Sequence, residues 1–80
     1  MEKAVAVKYM KELPAPFIVA KGRGELAKKI RLLAQQHGVA IVTDAVLTDR
    51  LIEIDAGDFI PEDLYAVIAE VLVFAMRLSS

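Results

Sequence analysis

The sequence from Gly22 to Val42 constrains the fold more than any other part of the chain, because a helix pattern is followed directly by an apolar run of strand length. Residues expected to face a core recur there at steps of three and four, and they are Leu26, Ile30, Leu33, Ala34 and His37. Gly38 ends the helix pattern, and the next four residues favour a strand buried on both faces.

A similar apolar run precedes the helix pattern, beginning at Phe17, so the chain predicts a strand, a helix and a second strand. If both strands belong to one sheet, the crossover is expected to be right-handed. The alternation of residues on the two faces of a strand and the positions of turn residues predict the other elements. The predicted strands are 4–9, 17–21 and 39–42, and the predicted helices are 24–37, 45–52 and 61–78. Asp44 is expected to cap the second helix, which turns Leu47 and Leu51 inward, and Pro61 is expected to begin the third.

The expected fold is α/β, a small mixed sheet of about three strands packed with about three helices in the order β-β-α-β-α-α. A length of 80 residues predicts a single domain, 1–80, with a small core. The hydrophobic fraction of 56% is higher than that of an ordinary soluble domain, which favours a surface covered by a partner. The chain has no cysteine, and this excludes disulfides, thiolate metal sites and thiol nucleophiles.

The sequence predicts neither a signal peptide nor a membrane-spanning helix. The charged residues near Met1 are not followed by the apolar segment of a signal peptide. The most apolar segment, 64–78, is interrupted by Glu70 and is too short to cross a bilayer. We therefore expect no direct membrane insertion.

The charges are unevenly distributed along the chain. Residues 1–38 hold eight basic and three acidic side chains, whereas residues 39–80 hold two basic and eight acidic ones. This division favours either a basic face for an acidic partner or two halves that attract each other in the fold, and we prefer the second interpretation.

One candidate binding site is the basic segment around Gly22-Arg23-Gly24, where backbone N–H groups before a helix could bind a phosphate. The candidate ligands of a phosphate- or nucleic-acid-binding module are Lys21, Arg23, Lys28 and Lys29. The segment does not match the P-loop or the dinucleotide fingerprint, and it lacks an aromatic platform for bases. This reading is therefore the alternative function, not the preferred one.

Candidate catalytic and metal-binding residues are few. His37 is the only histidine, and a partly buried capping role at the end of the first helix is the preferred interpretation. Asp55, Asp58, Glu62 and Asp63 lie around a turn, and turn and helix-start chemistry explains them better than a metal site. We expect no enzymatic activity, no metal and no cofactor.

Four stretches of the chain closely resemble the cytoplasmic C-terminal domain of the FlhB/YscU/SpaS family of flagellar and type III export proteins. They are Ala4-Val5-Ala6-Val7-Lys8-Tyr9, Ala15-Pro16-Phe17-Ile18-Val19-Ala20-Lys21-Gly22, His37-Gly38-Val39-Ala40-Ile41-Val42, and the segment from Ile60 to Leu72. The resemblance covers almost the whole chain in order and with similar spacing. It implies a non-enzymatic role in protein export and a cytoplasmic location, peripheral at the export gate.

Two departures from the family pattern change what the resemblance implies. Family members cleave themselves at an Asn-Pro-Thr-His motif just before the strand matched here by Ala4 to Tyr9, but this sequence contains no asparagine, so that chemistry is excluded. The family's membrane portion and the strand before the motif are also not matched. The expectation is a free-standing homologue of the fragment that follows the cleavage point, with a sheet edge exposed for a partner or a homodimer.

The resemblance also implies a site and partners. The family's substrate-contacting patch matches Ala15, Pro16, Ala69 and Leu72, which are all small or apolar. The expected partners are export substrates and export-apparatus proteins, namely the membrane portion of FlhB and other export-gate components, and nucleic acid is not expected. An equally weighted interpretation is that Ala69 and Leu72 are ordinary core residues.

Overall fold

A three-stranded sheet lies between one helix on one face and two helices on the other. The computed structural model describes residues 2–79, with side chains described as far as Val73. The strands are β1 (Lys3–Lys8), β2 (Phe17–Arg23) and β3 (Ala40–Ile41), and the helices are α1 (Glu25–His37), α2 (Ala45–Leu51) and α3 (Tyr65–Ser79). The order of elements and the α/β class confirm the prediction.

The central strand of the sheet is β1, because the strand order is β2-β1-β3 and both pairings are antiparallel. The strands that enclose α1 therefore share a sheet without being neighbours, and the first strand of the chain fills the place between them. The pairing of β1 with β2 shifts register between Ala6 and Val7, which leaves Val19 as a bulge. Tyr9, predicted to lie in the first strand, follows β1 and is exposed.

The larger part of the core lies on the face of the sheet covered by α2 and α3, which we call the α2/α3 face. Val5 and Val7 of β1 point to this face, as the alternation of the strand predicts. The helices contribute Leu47, Leu51 and Ile68, which are all buried. The predicted inward position of Leu47 and Leu51 is confirmed.

The opposite face of the sheet, the α1 face, carries smaller side chains. Ala4 and Ala6 of β1 pack there against Ala27 and Ile30 of α1. The predicted buried stripe of α1 is correct for Ile30 and Ala34 but wrong for two leucines, since Leu26 is 54% exposed and Leu33 52% exposed. Small side chains on both surfaces bring the helix close to the sheet, so that alanine fits between them and the leucines lie at the margin of the contact.

The helix ends follow local sequence signals with two exceptions. Gly38 adopts the left-handed conformation (φ 67°), and its N–H donates to the carbonyl of Ala34, while the Asp44 Oδ1 accepts from the N–H of Leu47 at 2.9 Å. His37 is exposed, so the predicted partly buried capping role is wrong. Pro61 does not begin α3, because a 3₁₀ turn, Glu62–Leu64, comes first and the α-helix begins at Tyr65.

Of the described ion pairs, one joins the basic half of the chain to the acidic half. Lys3 Nζ lies 2.6 Å from Asp49 Oδ1, between β1 and α2, whereas Arg50 and Asp63, 3.0 Å apart, both belong to the acidic half. All four side chains are substantially exposed, so these pairs contribute little to stability. In the part of the chain that the structure describes, no helix has the length and hydrophobicity required to cross a bilayer.

Candidate functional site

The loop before β2 carries two of the four predicted site residues. Ala15 is only 4% exposed, whereas Pro16 is half-buried. The carbonyl of Pro16 accepts a hydrogen bond of 2.8 Å from the N–H of Ile60, which fixes the end of this loop against the segment that leads into α3. Ala15 therefore forms part of the packed interior, and Pro16 is the member of the pair that reaches the surface.

A short segment, Gly57–Ile60, leaves a turn at Gly57 and runs beside the beginning of β2, and we call it the strap. The N–H of Ile18 donates to the carbonyl of Asp58 at 3.0 Å, and the N–H of Gly57 donates to the carbonyl of Ile18 at 2.7 Å. Phe17 and Phe59 form an isolated antiparallel bridge beside these bonds. The strap is thus an additional, short edge element that joins the loop before β2 to the 3₁₀ turn and α3.

The other two predicted site residues lie on α3. Ala69 is exposed, while Leu72 is half-buried and packs against the core of the α2/α3 face. Together with Tyr65, which is also exposed, they follow the i, i+4, i+7 spacing that places side chains along one side of a helix. We call Tyr65, Ala69 and Leu72 the α3 stripe.

Two interpretations of the α3 residues were open, and the burial distinguishes them in part. Ile68, the neighbour of Ala69, is fully buried, so the core-facing side of the helix passes through Ile68 and not through Ala69. Leu72 contributes to the core with one part of its surface and remains accessible with the rest. Ala69 is therefore a surface residue, and Leu72 lies at the boundary between core and surface.

The loop pair and the helix pair are joined through Ile60. This residue is buried in the same core cluster as Leu64 and Ile68, and its N–H binds Pro16. The described contacts therefore hold Pro16 against the segment that begins α3. The loop and the α3 stripe are therefore connected through the buried side chain of Ile60.

Residue-by-residue analysis of the sequence missed two exposed side chains on these elements. Phe59 of the strap and Val73 of α3 are each 47% exposed. Val73 follows Ala69 by four residues, so helical spacing alone could have found it. Phe59 follows the predicted turn at 55–58 and was given no role by the sequence. Its position depends on the pairing of the strap with β2, which no local pattern in the sequence reveals.

The basic segment considered for phosphate binding has a different local structure from the one predicted. Gly22 and Arg23 belong to β2 and do not form a loop, and the N–H of Gly24 already donates to the carbonyl of Glu2 at 2.7 Å. Lys21 donates through Nζ to the carbonyl of Ile52 at 2.8 Å, and Lys28 pairs with Glu25 at 3.2 Å. The backbone donor and two of the four basic side chains proposed for a phosphate are thus engaged within the chain.

The acidic residues around the turn before α3 are also accounted for by local structure. The N–H of Asp58 donates to the carbonyl of Asp55 at 3.1 Å, which closes the turn, and Asp63 pairs with Arg50. In the part of the chain whose side chains are described, no group of three or more potential ligands is placed to hold a metal ion. With the basic segment and the acidic turn engaged in local structure, the loop and the α3 stripe remain the candidate binding surface.

Comparison with known proteins places the chain among export proteins. A model of the family described as "FlhB HrpN YscU SpaS Family" matches residues 1–75. The flagellar biosynthetic protein FlhB of Bacillus subtilis is 41% identical over 78 residues, an alignment that covers 92% of this chain and 21% of that protein. The chain thus spans about one-fifth of the length of this relative.

Two further relatives are closer in size. The uncharacterized protein YlqH of Bacillus subtilis is 35% identical over 79 residues, which cover 98% of this chain and 85% of that protein. The crystal structure of the cytoplasmic domain of FlhB from Shewanella putrefaciens superposes with a TM-score of 0.81 and 37% identity over 96% of this chain and 64% of that one. The fold and the family resemblance are therefore both supported by independent comparisons.

Proposed function

Because the chain belongs to the FlhB HrpN YscU SpaS family, we propose that it is a non-enzymatic component or accessory of flagellar or related type III protein export. It acts like the C-terminal fragment of FlhB that follows the cleavage point, by binding export substrates and influencing which of them are exported. The match to flagellar FlhB over almost the whole chain supports the flagellar setting. Its place of action is the cytoplasmic side of the export gate, in contact with the membrane portion of FlhB and other gate components.

The observation that supports substrate binding is that Pro16 and the α3 stripe are apolar and accessible on two segments that Ile60 connects. Ala69 offers a small side chain next to larger exposed neighbours, Tyr65 and Val73, so an apolar side chain of a peptide can be accommodated beside it. Pro16 is held at its carbonyl by Ile60, which preorganises the loop side of this surface. An extended export signal binds there by burying apolar side chains.

The direct experiment is a pull-down of the purified chain against the membrane portion of FlhB, other export-gate proteins and hook-type export substrates. The variant Leu72→Asp is expected to lose substrate binding, because a carboxylate at the boundary of the surface would have to be desolvated when the peptide binds. Ala69→Asp is a second variant, and it is less disruptive because Ala69 is exposed in the free protein. Far-UV circular dichroism establishes that each variant is folded.

Val46→Asp is the matched control, since Val46 is 73% exposed and belongs to α2, not to the loop or the α3 stripe. It introduces the same charge and should bind substrates as the unmodified chain does. Equal binding by all three variants would contradict the assignment of the surface. Failure of the unmodified chain to bind any of the partners would contradict the proposed function itself.

The alternative, a phosphate- or nucleic-acid-binding module, is not favoured by the comparisons or by the engaged donors around Gly24. The effect of salt concentration on binding distinguishes the two functions. Binding through phosphate contacts weakens steeply as salt is added, whereas burial of apolar side chains does not. Binding of a substrate peptide that persists at high salt would therefore support the apolar surface.

A further inference from the structure

The two edges of the sheet differ in how they are protected against pairing with another strand. The strand order leaves β2 at one edge and β3 at the other. At the β2 edge, the strap occupies the N–H and C=O of Ile18, and the bulge at Val19 interrupts the strand. The remaining part carries the basic residues Lys21 and Arg23. A covering segment, a bulge and a lysine side chain are all features that prevent one sheet edge from pairing with another.

The β3 edge has open backbone groups whose direction can be deduced from the ladder. The N–H of Val42 donates to the carbonyl of Val5 at 3.0 Å, so Val42 and Val5 form a hydrogen-bonded pair. In an antiparallel ladder such pairs alternate with non-bonded ones, and Ile41 is opposite Ala6 in the register. The N–H and C=O of Ile41 therefore point away from β1. Within the described residues, neither group has a hydrogen-bond partner.

The side chains along this edge offer no obstacle to a second strand. Residues 39–43 read Val-Ala-Ile-Val-Thr, with no charge and no proline, and four of the five are β-branched. The neighbouring N–H of Val39 is already bonded to the carbonyl of Ala34 at 2.9 Å, which holds the start of the segment in place. The segment is thus a fixed, uncharged strand of high β propensity with one side unpaired, which is the condition for strand addition.

We propose that a second copy of this chain pairs with β3 in an antiparallel arrangement about a twofold axis at Ile41, which joins the two three-stranded sheets into one. At the axis, the two Ile41 residues exchange both N–H···O bonds. On either side, the N–H of Thr43 donates to the free carbonyl of Val39 of the second copy. A regular pair would also have the N–H of Val39 donate to the carbonyl of Thr43, but that N–H is bonded to Ala34, so each outer pair contributes one hydrogen bond and not two.

The occupant is a second copy because the edge is complementary to itself. The register brings together only uncharged residues, and Asp44, the first charged residue beyond the segment, faces Gly38 of the second copy. The same arrangement at the β2 edge, centred on Gly22, would place Lys21 opposite Arg23 of the second copy, and like charges directly opposite each other are destabilising. Self-association is therefore directed to the β3 edge. This inference concerns a surface other than the one proposed for substrate binding.

The test follows individual amides by NMR hydrogen exchange while the protein concentration is raised from about 0.01 to about 1 mM, the range of dissociation constants expected for a small interface. The N–H of Ile41 should exchange fast at the lowest concentration and slow by about tenfold when nine-tenths of the chains are paired. The N–H of Val42, bonded to Val5 within one chain, should be slow throughout and is the internal control. Over the same range, sedimentation equilibrium should show the average mass rising from that of the monomer toward that of the dimer.

A pair of variants tests the register. Thr43→Pro removes an outward N–H and fixes a φ compatible with extended backbone, so it should leave the fold intact and shift dimerisation to at least about tenfold higher concentration. Thr43→Val keeps the N–H and the branched shape and should dimerise as the unmodified chain does. A monomer at about 1 mM with fast exchange at Ile41 would overturn the proposal. Slow exchange at Ile41 in a monomer, or a dimer unaffected by Thr43→Pro, would do so as well.

Discussion

The two faces of the sheet are packed with side chains of different size. On the α2/α3 face, Val5 and Val7 meet Leu51 and Ile68, which are all fully buried. On the α1 face, the same strand contributes alanines, which pack against Ala27 and Ile30 of α1. One strand therefore supports a thick layer on one side and a thin layer on the other. We therefore expect the α2/α3 face to be sensitive to lost volume and the α1 face to added volume.

The largest expected effect is the loss of volume from the α2/α3 face. Ile68→Ala should lower the free energy of unfolding by about 2–5 kcal/mol, because it leaves a cavity in the core and removes buried apolar surface. Urea denaturation followed by circular dichroism measures the change. Val67→Ala is the matched control on the same helix, since Val67 is 44% exposed, and it should cost much less. Equal losses for the two variants would show that α3 is not anchored through Ile68.

Added volume on the α1 face should have the second largest effect. Ala27 is fully buried between α1 and the alanines of β1. Ala27→Leu should destabilise the chain by about 1–3 kcal/mol, because the helix must move away from the sheet to admit the larger side chain. The measurement is again the midpoint and slope of urea unfolding.

Gln35→Leu serves as the control for that change, since Gln35 is exposed on the same helix and a leucine there enters no packed layer. It should alter the free energy of unfolding by less than about 0.5 kcal/mol. If Ala27→Leu were equally tolerated, the layer under α1 would have to contain free volume, and the contrast between the two faces would be wrong.

The contrast also explains how far the sequence alone could predict this structure. Alternation in β1 assigned Val5 and Val7 to one face and Ala4 and Ala6 to the other correctly, because the period of a strand is a local property. The predicted buried stripe of α1 was shifted around the helix from the observed one. The prediction placed leucines in the core because they are more hydrophobic than alanine, whereas the small residues of β1 leave room only for alanine at the contact. That preference depends on a partner strand more than twenty residues earlier in the chain.

The candidate site was predictable to a similar degree. The four residues came from the family resemblance, and the structure describes Ala15 as buried and Ala69 as exposed, a difference that the apolar character of both residues could not reveal. The strap that joins Pro16 to the start of α3 depends on the pairing of Phe17 with Phe59, which is a tertiary contact. The role of the four residues in substrate binding stays a prediction.

The next effect concerns how the helices on the two faces begin. The N-terminus of α2 is capped by the side chain of Asp44, whereas α1 begins at Gly24 without a side-chain cap. Asp44→Ala should lower the free energy of unfolding by about 1 kcal/mol, because the N–H of Leu47 loses its acceptor. Asp44→Asn retains an acceptor oxygen and should recover most of the loss. A full loss with asparagine would indicate that the charge, and not the cap, is responsible.

The smallest expected effect tests how closely α1 approaches β2. A Cβ added at Gly22 would lie 2.6 Å from Leu26 Cγ, 2.7 Å from Leu26 Cδ2 and 3.0 Å from Ile30 Cδ1. The leucine is half exposed and can rotate away, and the loss of glycine also reduces the entropy of the unfolded chain, so Gly22→Ala should change the free energy of unfolding by no more than about 1 kcal/mol.

A double-mutant cycle isolates this contact from the entropic contribution. Combining Gly22→Ala with Leu26→Ala removes the two closest atoms, and the two changes should couple by at least about 0.5 kcal/mol. Leu32→Ala is the control partner, since Leu32 is similarly exposed on α1 and is not among the nearest neighbours of Gly22. If Gly22→Ala had the same effect in the Leu26→Ala and Leu32→Ala backgrounds, the thin layer would not extend to this end of α1, and the close approach would be confined to the alanines of β1.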